Sequence, residues 1–94
     1  LVRTLDVFLT VTVDDKFKKF ENEIRAKIRE RALDYFNVDN ADFGEPFIPQ
    51  DLIKSIIEIN EVRYATVDNI DSVIKLDFNE ILQLNNLTIK FNYL

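Results

Sequence analysis

Every odd-numbered residue from Leu5 to Val13 is apolar, and this alternation limits the possible folds more than any other feature of the chain. The apolar residues are Leu5, Val7, Leu9, Val11 and Val13. The even positions carry the polar residues Asp6, Thr10 and Thr12. A period of two residues is typical of a β-strand with one buried face. The chain must therefore form a sheet and supply a second layer to cover the apolar face of that sheet.

The segment after this strand has the pattern of a long helix. Asp14 and Asp15 are candidate N-cap residues, and no Pro or Gly interrupts the chain from there to about Phe36. Apolar residues recur at helical spacing: Phe17, Phe20, Ile24, Ile28, Ala32 and Tyr35. Because these positions share one face of a helix, we expect a single amphipathic helix that packs on the sheet.

A loop and a short second helix follow. The loop covers Asn37–Pro49 and is rich in turn-forming residues, among them Asn40 and Gly44. Gly44 is the only glycine, which indicates a backbone conformation that other residues avoid. Pro49 suits the first turn of a helix over Gln50–Ile59.

The remainder of the chain predicts three more strands, at Val62–Val67, Val73–Leu76 and Leu87–Tyr93. We interpret Asn85-Asn86 as a turn before the last strand. The order β-α-α-β-β-β predicts an α+β two-layer sandwich with a mostly antiparallel sheet. We expect one domain over residues 1–94, and the absence of any Met suggests that it is a piece of a longer chain.

The residue types that most catalytic and metal sites need are missing. The chain has no His and no Cys, which excludes Ser-His and Cys-His nucleophiles and thiolate metal ligands. No apolar run approaches the roughly 18 residues of a membrane span. The net charge of −5 repels nucleic-acid phosphates. We therefore expect a non-enzymatic domain without cofactor or metal that binds neither nucleic acid nor membrane.

The long helix is polarised by charge. Seven of the 12 cationic residues of the chain lie between Lys16 and Arg31. One flank is cationic and polar and carries Lys18, Asn22, Arg25 and Arg29. Glu23, Glu30 and Asp34 lie on the other side of the helix. This arrangement could orient a protein partner by charge complementarity, and a merely solvated helix face remains the simpler alternative.

The last strand and Phe8 are the other candidate contact surfaces. Leu87, Ile89, Phe91 and Tyr93 share one side of the last strand, which can pack on the helices or add to the sheet of another subunit. Phe8 is a large apolar ring among the polar residues of the first strand. It either covers a side chain of a neighbouring strand or contacts another chain.

Three pieces of the chain, in this order, resemble the C-terminal domain of baseplate wedge proteins from contractile phage tails, the baseplate J-like group. A strand like LDVFLTVTVDD leads into a helix like FENEIRAKIRERALDYF, and FGEPFIPQDLIKSIIEINEV and VRYATVD follow. The end of the chain, FNEILQLNNLTIKFNYL, also resembles the end of such proteins. The resemblance covers about Leu5 to Leu94. It departs at Asn60-Glu61, where the family commonly carries a glycine before the valine that begins the next strand.

The resemblance implies a structural assembly module of a baseplate wedge, or of a related contractile injection apparatus. Its implied partners are other baseplate wedge proteins and copies of itself, and its implied location is the tail baseplate of a virion assembled in the host cytoplasm. The alternative is a small-molecule-sensing α+β domain with a pocket between sheet and helices. A chain with one glycine suits that alternative less well, because ligand-binding backbone often needs glycine for close approach.

Overall fold

In the computed structural model, which describes residues 1–39 and 42–94, two helices lie on a three-stranded sheet. Strand β1 spans Val2–Val13, and a 3-10 helix over Asp15–Phe20 leads into helix α1, Glu21–Asp34. A π-helical turn over Tyr35–Asp39 extends α1 beyond its predicted end, and Asn40 of the predicted loop lies outside the described residues. The later elements are helix α2, Pro49–Ile57, strand β2, Val62–Val67, and strand β3, Ile81–Tyr93.

The predicted α+β class and order of elements are confirmed. The strand expected at Val73–Leu76 is reduced to a single bridge, in which Ile74 and Phe47 exchange two backbone hydrogen bonds of 2.9 Å. Gly44, close to this bridge, has φ +72°, as expected from its place as the only glycine. A Cβ atom at Gly44 would lie 3.2 Å from the Cα of Phe78, so close packing also favours glycine here.

The direction of β3 differs from the prediction. The strand order is β2-β1-β3, with β2 antiparallel to β1 and β3 parallel to β1 along its whole length. The sheet is therefore mixed instead of mostly antiparallel. The cause is the path of the chain after β2, which runs back along β1. The backbone N–H of Asp68 donates to the carbonyl of Phe8, and the N-terminal amine of Leu1 donates to the carbonyl of Asn79. Strand β3 therefore starts beside the beginning of β1.

The predicted turn at Asn85-Asn86 is wrong, since both residues lie within the 13-residue strand β3. Leu5 pairs with Leu84, but the next residue of β1, Asp6, pairs with Asn86, so Asn85 is the extra residue of a β-bulge. Before the bulge Leu82 and Leu84 are even-numbered, and after it the apolar residues, from Leu87 to Tyr93, are odd-numbered. Because side chains alternate between faces, the extra residue keeps both sets on the face that the helices cover.

The core lies between this face and the two helices. Val7, Leu9, Val11 and Val13 of β1 are at most 1% exposed. They pack against Ile24 and Ile28 of α1 and Leu52 and Ile56 of α2, which are fully buried. Phe20, predicted to face the core, is 40% exposed. It ends the 3-10 helix, whose three residues per turn do not continue the stripe of an α-helix.

Deletion of Asn85 should destabilise the protein strongly, because it would turn Leu82 and Leu84 to the exposed face or slip the register of the strand. With about 1.5–3 kcal/mol for each fully buried leucine, we expect the free energy of unfolding to fall by about 3 kcal/mol in urea titrations. Asn85→Ala is the control, since it keeps the residue count and loses only the 3.0 Å hydrogen bond to Asp6. Equal stability of the two variants would contradict the role of the bulge.

Candidate functional site

The cationic flank of the long helix meets the last strand at one edge of the molecule. The sequence pattern did not place these two surfaces together. The ammonium group of Lys18 lies 5.3 Å from the ring centroid of Tyr93. The guanidinium carbon of Arg25 lies 5.0 Å from the ring centroid of Phe91. The two rings are stacked, with centroids 6.2 Å apart. These four residues form a continuous surface, called the cationic edge below.

Arg25 makes the most contacts in the cationic edge. Its Nη1 donates a 3.0 Å hydrogen bond to the backbone carbonyl of Ile89, and its Nη2 lies 3.8 Å from Oε2 of Glu21. The guanidinium also lies over Phe91. The ion pair is long and its side chains are 35% and 40% exposed, so it contributes little by itself. The hydrogen bond and the ring contact therefore set the orientation of Arg25.

Glu21 joins the beginning of α1 to the end of β3. It accepts a hydrogen bond from the hydroxyl of Tyr93. Desolvation, the hydrogen bond to Glu21 and the negative charge of Glu21 raise the pKa of Tyr93 from its ordinary value of 10 to about 12. Tyr93 is therefore a neutral hydrogen-bond donor at neutral pH. Together with the backbone bond from Leu94 to the carbonyl of Val13, this contact attaches the last strand firmly to its neighbours.

One backbone edge of β3 is open. In a parallel ladder the N–H and C=O of one residue point to the same side, and successive residues alternate. Leu94 donates to Val13, so even-numbered residues after the bulge point toward β1. The outward groups are then those of the odd-numbered residues Leu87, Ile89, Phe91 and Tyr93. Within residues 1–39 and 42–94, the only hydrogen bond to these outward groups is the one from Arg25 to the carbonyl of Ile89.

The other predicted site residues divide between this surface and the rest of the protein. Asn22 and Arg29 are exposed on the same helix flank, and neither side chain has a hydrogen bond or ion pair to another described residue. Leu87 is half-buried, and the side chain of Ile89 is 6% exposed and belongs to the core. Phe8 is 47% exposed and lies beside Thr88 on the opposite face of the sheet, away from the cationic edge.

The sequence did not reveal a charged cleft on the other side of α1. Glu23 lies four residues before Lys27, at the spacing of a helical ion pair. Lys27 nevertheless donates a 2.7 Å hydrogen bond to Oε2 of Glu61. That hydrogen bond lowers the pKa of Glu61. Arg31 donates a 3.0 Å hydrogen bond to Glu58, and both residues line the cleft, which has a volume of about 300 Å³. Both carboxylates come from the segment after α2, so spacing along α1 could not predict these pairs.

An apolar end of the molecule was also not predicted. Leu1, Val2, Phe43 and Phe78 are between 63% and 88% exposed. The backbone of Gly44 donates to the carbonyl of Glu80, which brings the Phe43 and Phe78 segments together near the beginning of β1. A second cleft of about 260 Å³ lies close by and is lined by Val2, Phe36, Asn37, Ile81, Leu82 and Gln83. Phe43 and Phe78 lie in irregular segments, where periodicity gives no signal.

No known family model matches the chain, and no curated protein is significantly similar to it. Neither helix in the described part is long and apolar enough to cross a membrane. Among the same residues, no three carboxylates come together in a way that could hold a metal ion.

Alkaline pH should weaken the contact between Tyr93 and Glu21. Because folding raises the pKa of Tyr93 from 10 to about 12, its contribution to stability is fully present below pH 10 and is lost as the pH rises through 12. We expect the free energy of unfolding to fall over this range, and Tyr93→Phe to remove part of the fall. Tyr64→Phe is the control, because Tyr64 is 55% exposed and its hydroxyl has no partner in the described chain.

The absorbance of phenolate near 295 nm gives an independent measurement. Subtracting the titration curve of Tyr93→Phe from that of the unsubstituted protein should leave a transition near pH 12. A difference curve centred at pH 10 would mean that the hydrogen bond to Glu21 does not persist in solution.

Proposed function

We propose that this domain is a structural assembly module of a contractile phage tail baseplate wedge, or of a related contractile injection apparatus. It acts by protein-protein packing, with other baseplate wedge proteins and copies of itself as partners, in the tail baseplate of a virion. The observation that carries the proposal is the cationic edge, where the open backbone edge of β3 lies beside Lys18 and Arg25, with the exposed Arg29 on the same helix flank. The resemblance of the chain to baseplate J-like proteins supports the choice of apparatus.

The charge distribution favours binding of a protein partner in one defined orientation. The chain carries a net charge of −5, yet Lys18 of the 3-10 helix and Arg29 of α1 have no carboxylate partner in the described chain. A small cationic surface on an acidic domain can orient an acidic partner, because it attracts that partner in one orientation and repels it in others. This selectivity is what assembly of a defined wedge requires.

The position of the cationic edge on regular elements also suits assembly. Lys18, Arg25 and Arg29 lie on one continuous helical segment, and Phe91 and Tyr93 lie on β3. Packing against the core holds these elements in place, so the surface is presented with a fixed shape and little ordering cost on binding. A module of this kind can transmit force as one body when the apparatus is triggered.

The alternative of small-molecule sensing has weaker support. The charged cleft beside α1, about 300 Å³, is at the lower limit for ligand pockets. Its lining includes Lys27, Glu30, Arg31, Asp34, Glu58 and Glu61, whereas ligand pockets are mostly apolar. The internal ion pairs of Lys27 and Arg31 already satisfy much of this charge. We therefore prefer assembly.

Reversal of a single charge on the α1 flank should impair assembly. Arg29→Glu changes an exposed side chain without ionic partners in the described chain, so we expect its fold and stability to be unchanged. Association of the full-length protein with the wedge proteins encoded beside it should slow by about three- to tenfold, with a larger effect at low salt. The rate is followed by light scattering, and the contacts are mapped by chemical cross-linking.

Lys54→Glu is the matched control, because Lys54 is an exposed cation of α2 without ionic partners in the described chain. It changes the net charge by the same amount and should leave the association rate nearly unaltered. An equal effect of both variants would mean that the net charge of the protein, and not the position of Arg29, sets the association rate. Failure of the unsubstituted full-length protein to associate with any wedge protein would contradict the proposed function.

A further inference from the structure

We propose that the open edge of β3 receives an extended acidic segment of a partner protein, which adds to the sheet as a fourth strand. The added strand would lie beside Leu87–Tyr93, and its carboxylates would meet Lys18, Arg25 and Arg29. This inference rests on the proposed function and specifies the chemistry of the partner. Three features carry it: the geometry of the edge, the cover that Arg25 provides, and the positions of the cations.

The edge is long enough for a specific contact. Seven residues, from Leu87 to Tyr93, span about 20 Å at the rise of a β-strand. Four of them direct their N–H and C=O groups outward, as the alternation of the β1-β3 ladder requires. An added strand would form backbone hydrogen bonds to these groups, and such bonds contribute affinity without depending on the partner's sequence.

Arg25 covers the edge in the free protein. Proteins commonly protect exposed edges with charged side chains, bulges or covering segments. Lys90 is the only charged residue in β3, and the bulge at Asn85 interrupts the strand at the beginning of the open stretch. The guanidinium of Arg25 bonds the Ile89 carbonyl at the middle of that stretch. An incoming N–H would replace this bond, and an incoming carboxylate would then pair with the released guanidinium.

The cations follow the edge at the spacing of an added strand. Lys18 lies over Tyr93 and Arg25 over Phe91, so the helix runs antiparallel to β3. Arg29 lies one helical turn beyond Arg25, about 6 Å toward Leu87. Two residues of a strand rise about 6.6 Å, so carboxylates on alternate residues would meet successive cations. On the other face of the sheet, Lys90 is exposed and has no ionic partner in the described chain.

A second copy of this chain fits the same edge poorly. Two β3 strands paired edge to edge would bring the α1 flanks of both copies to one seam, with Lys18, Arg25 and Arg29 of each copy near those of the other. Like charges placed together across an interface disfavour association. An acidic segment from a different protein has the opposite charge and avoids this repulsion.

The test uses the 94-residue protein and a capped, fluorescein-labelled peptide of eight residues that alternates glutamate and valine. Two control peptides separate charge from strand pairing: one has lysine in place of glutamate, and the other is N-methylated at alternate residues and keeps all its carboxylates. In fluorescence anisotropy we expect the glutamate peptide to bind about tenfold more tightly than either control. Arg29→Glu should weaken its binding about fivefold, and Lys54→Glu by less than about twofold.

Amide hydrogen exchange followed by NMR locates the contact. The N–H groups of Leu87, Ile89, Phe91 and Tyr93 should gain protection when the glutamate peptide is bound. Equal binding of the N-methylated peptide would show a charge contact without strand addition and would overturn the proposal. So would equal binding of the lysine peptide, or protection gained elsewhere in the protein.

The same variants separate this proposal from the assembly function. If no peptide binds while wedge assembly proceeds and is slowed by Arg29→Glu, the added strand is wrong and the assembly function stands. If the peptide binds as expected but the full-length protein joins no wedge protein, the edge binds acidic strands and the assignment to a baseplate is wrong.

Discussion

The structure depends on the complete burial of one face of β1. Val7, Leu9, Val11 and Val13 are at most 1% exposed, and among the strands of the described residues β1 alone pairs on both sides. Apolar burial is the main favourable contribution to folding, so every other element must be arranged to cover this face. Helices α1 and α2 pack on this face, while β2 and β3 pair with the two edges of β1 and enlarge the sheet.

The same requirement explains the bulge and the open edge. The chain must keep Leu82, Leu84 and the later apolar residues of β3 on the buried face, and the extra residue Asn85 achieves this within a single strand. Because β3 is the outer strand of the order β2-β1-β3 in the described chain, one side of its backbone has no neighbouring strand. The side chains that protect this edge come from α1, which lies above it. The candidate interface is thus a consequence of how the core is covered.

Local signals predicted the elements well and their relations less well. The alternation of β1, the apolar stripe of Ile24, Ile28 and Ala32 and the glycine at position 44 all had direct counterparts in the structure, although the predicted single helix is divided into 3-10, α and π segments. The interpretation of Asn85-Asn86 as a turn was wrong because asparagine pairs occur in turns and in bulges alike, and only pairing with β1 distinguishes the two. The ion pair of Lys27 with Glu61 joins residues 34 positions apart, which helical spacing cannot reveal.

For the candidate site, the sequence alone determined which residues share a helix flank and which share a strand side, because periods of 3.6 and 2 residues follow from backbone geometry. Only the tertiary structure decided that these two surfaces meet, that β3 runs parallel to β1, and that Phe8 lies on the opposite face. The physical reason is that the path of the chain between β2 and β3 sets the direction and position of the last strand. That path depends on long-range contacts, such as those of Phe8 with Asp68 and of Leu1 with Asn79, which leave no periodic pattern in the sequence.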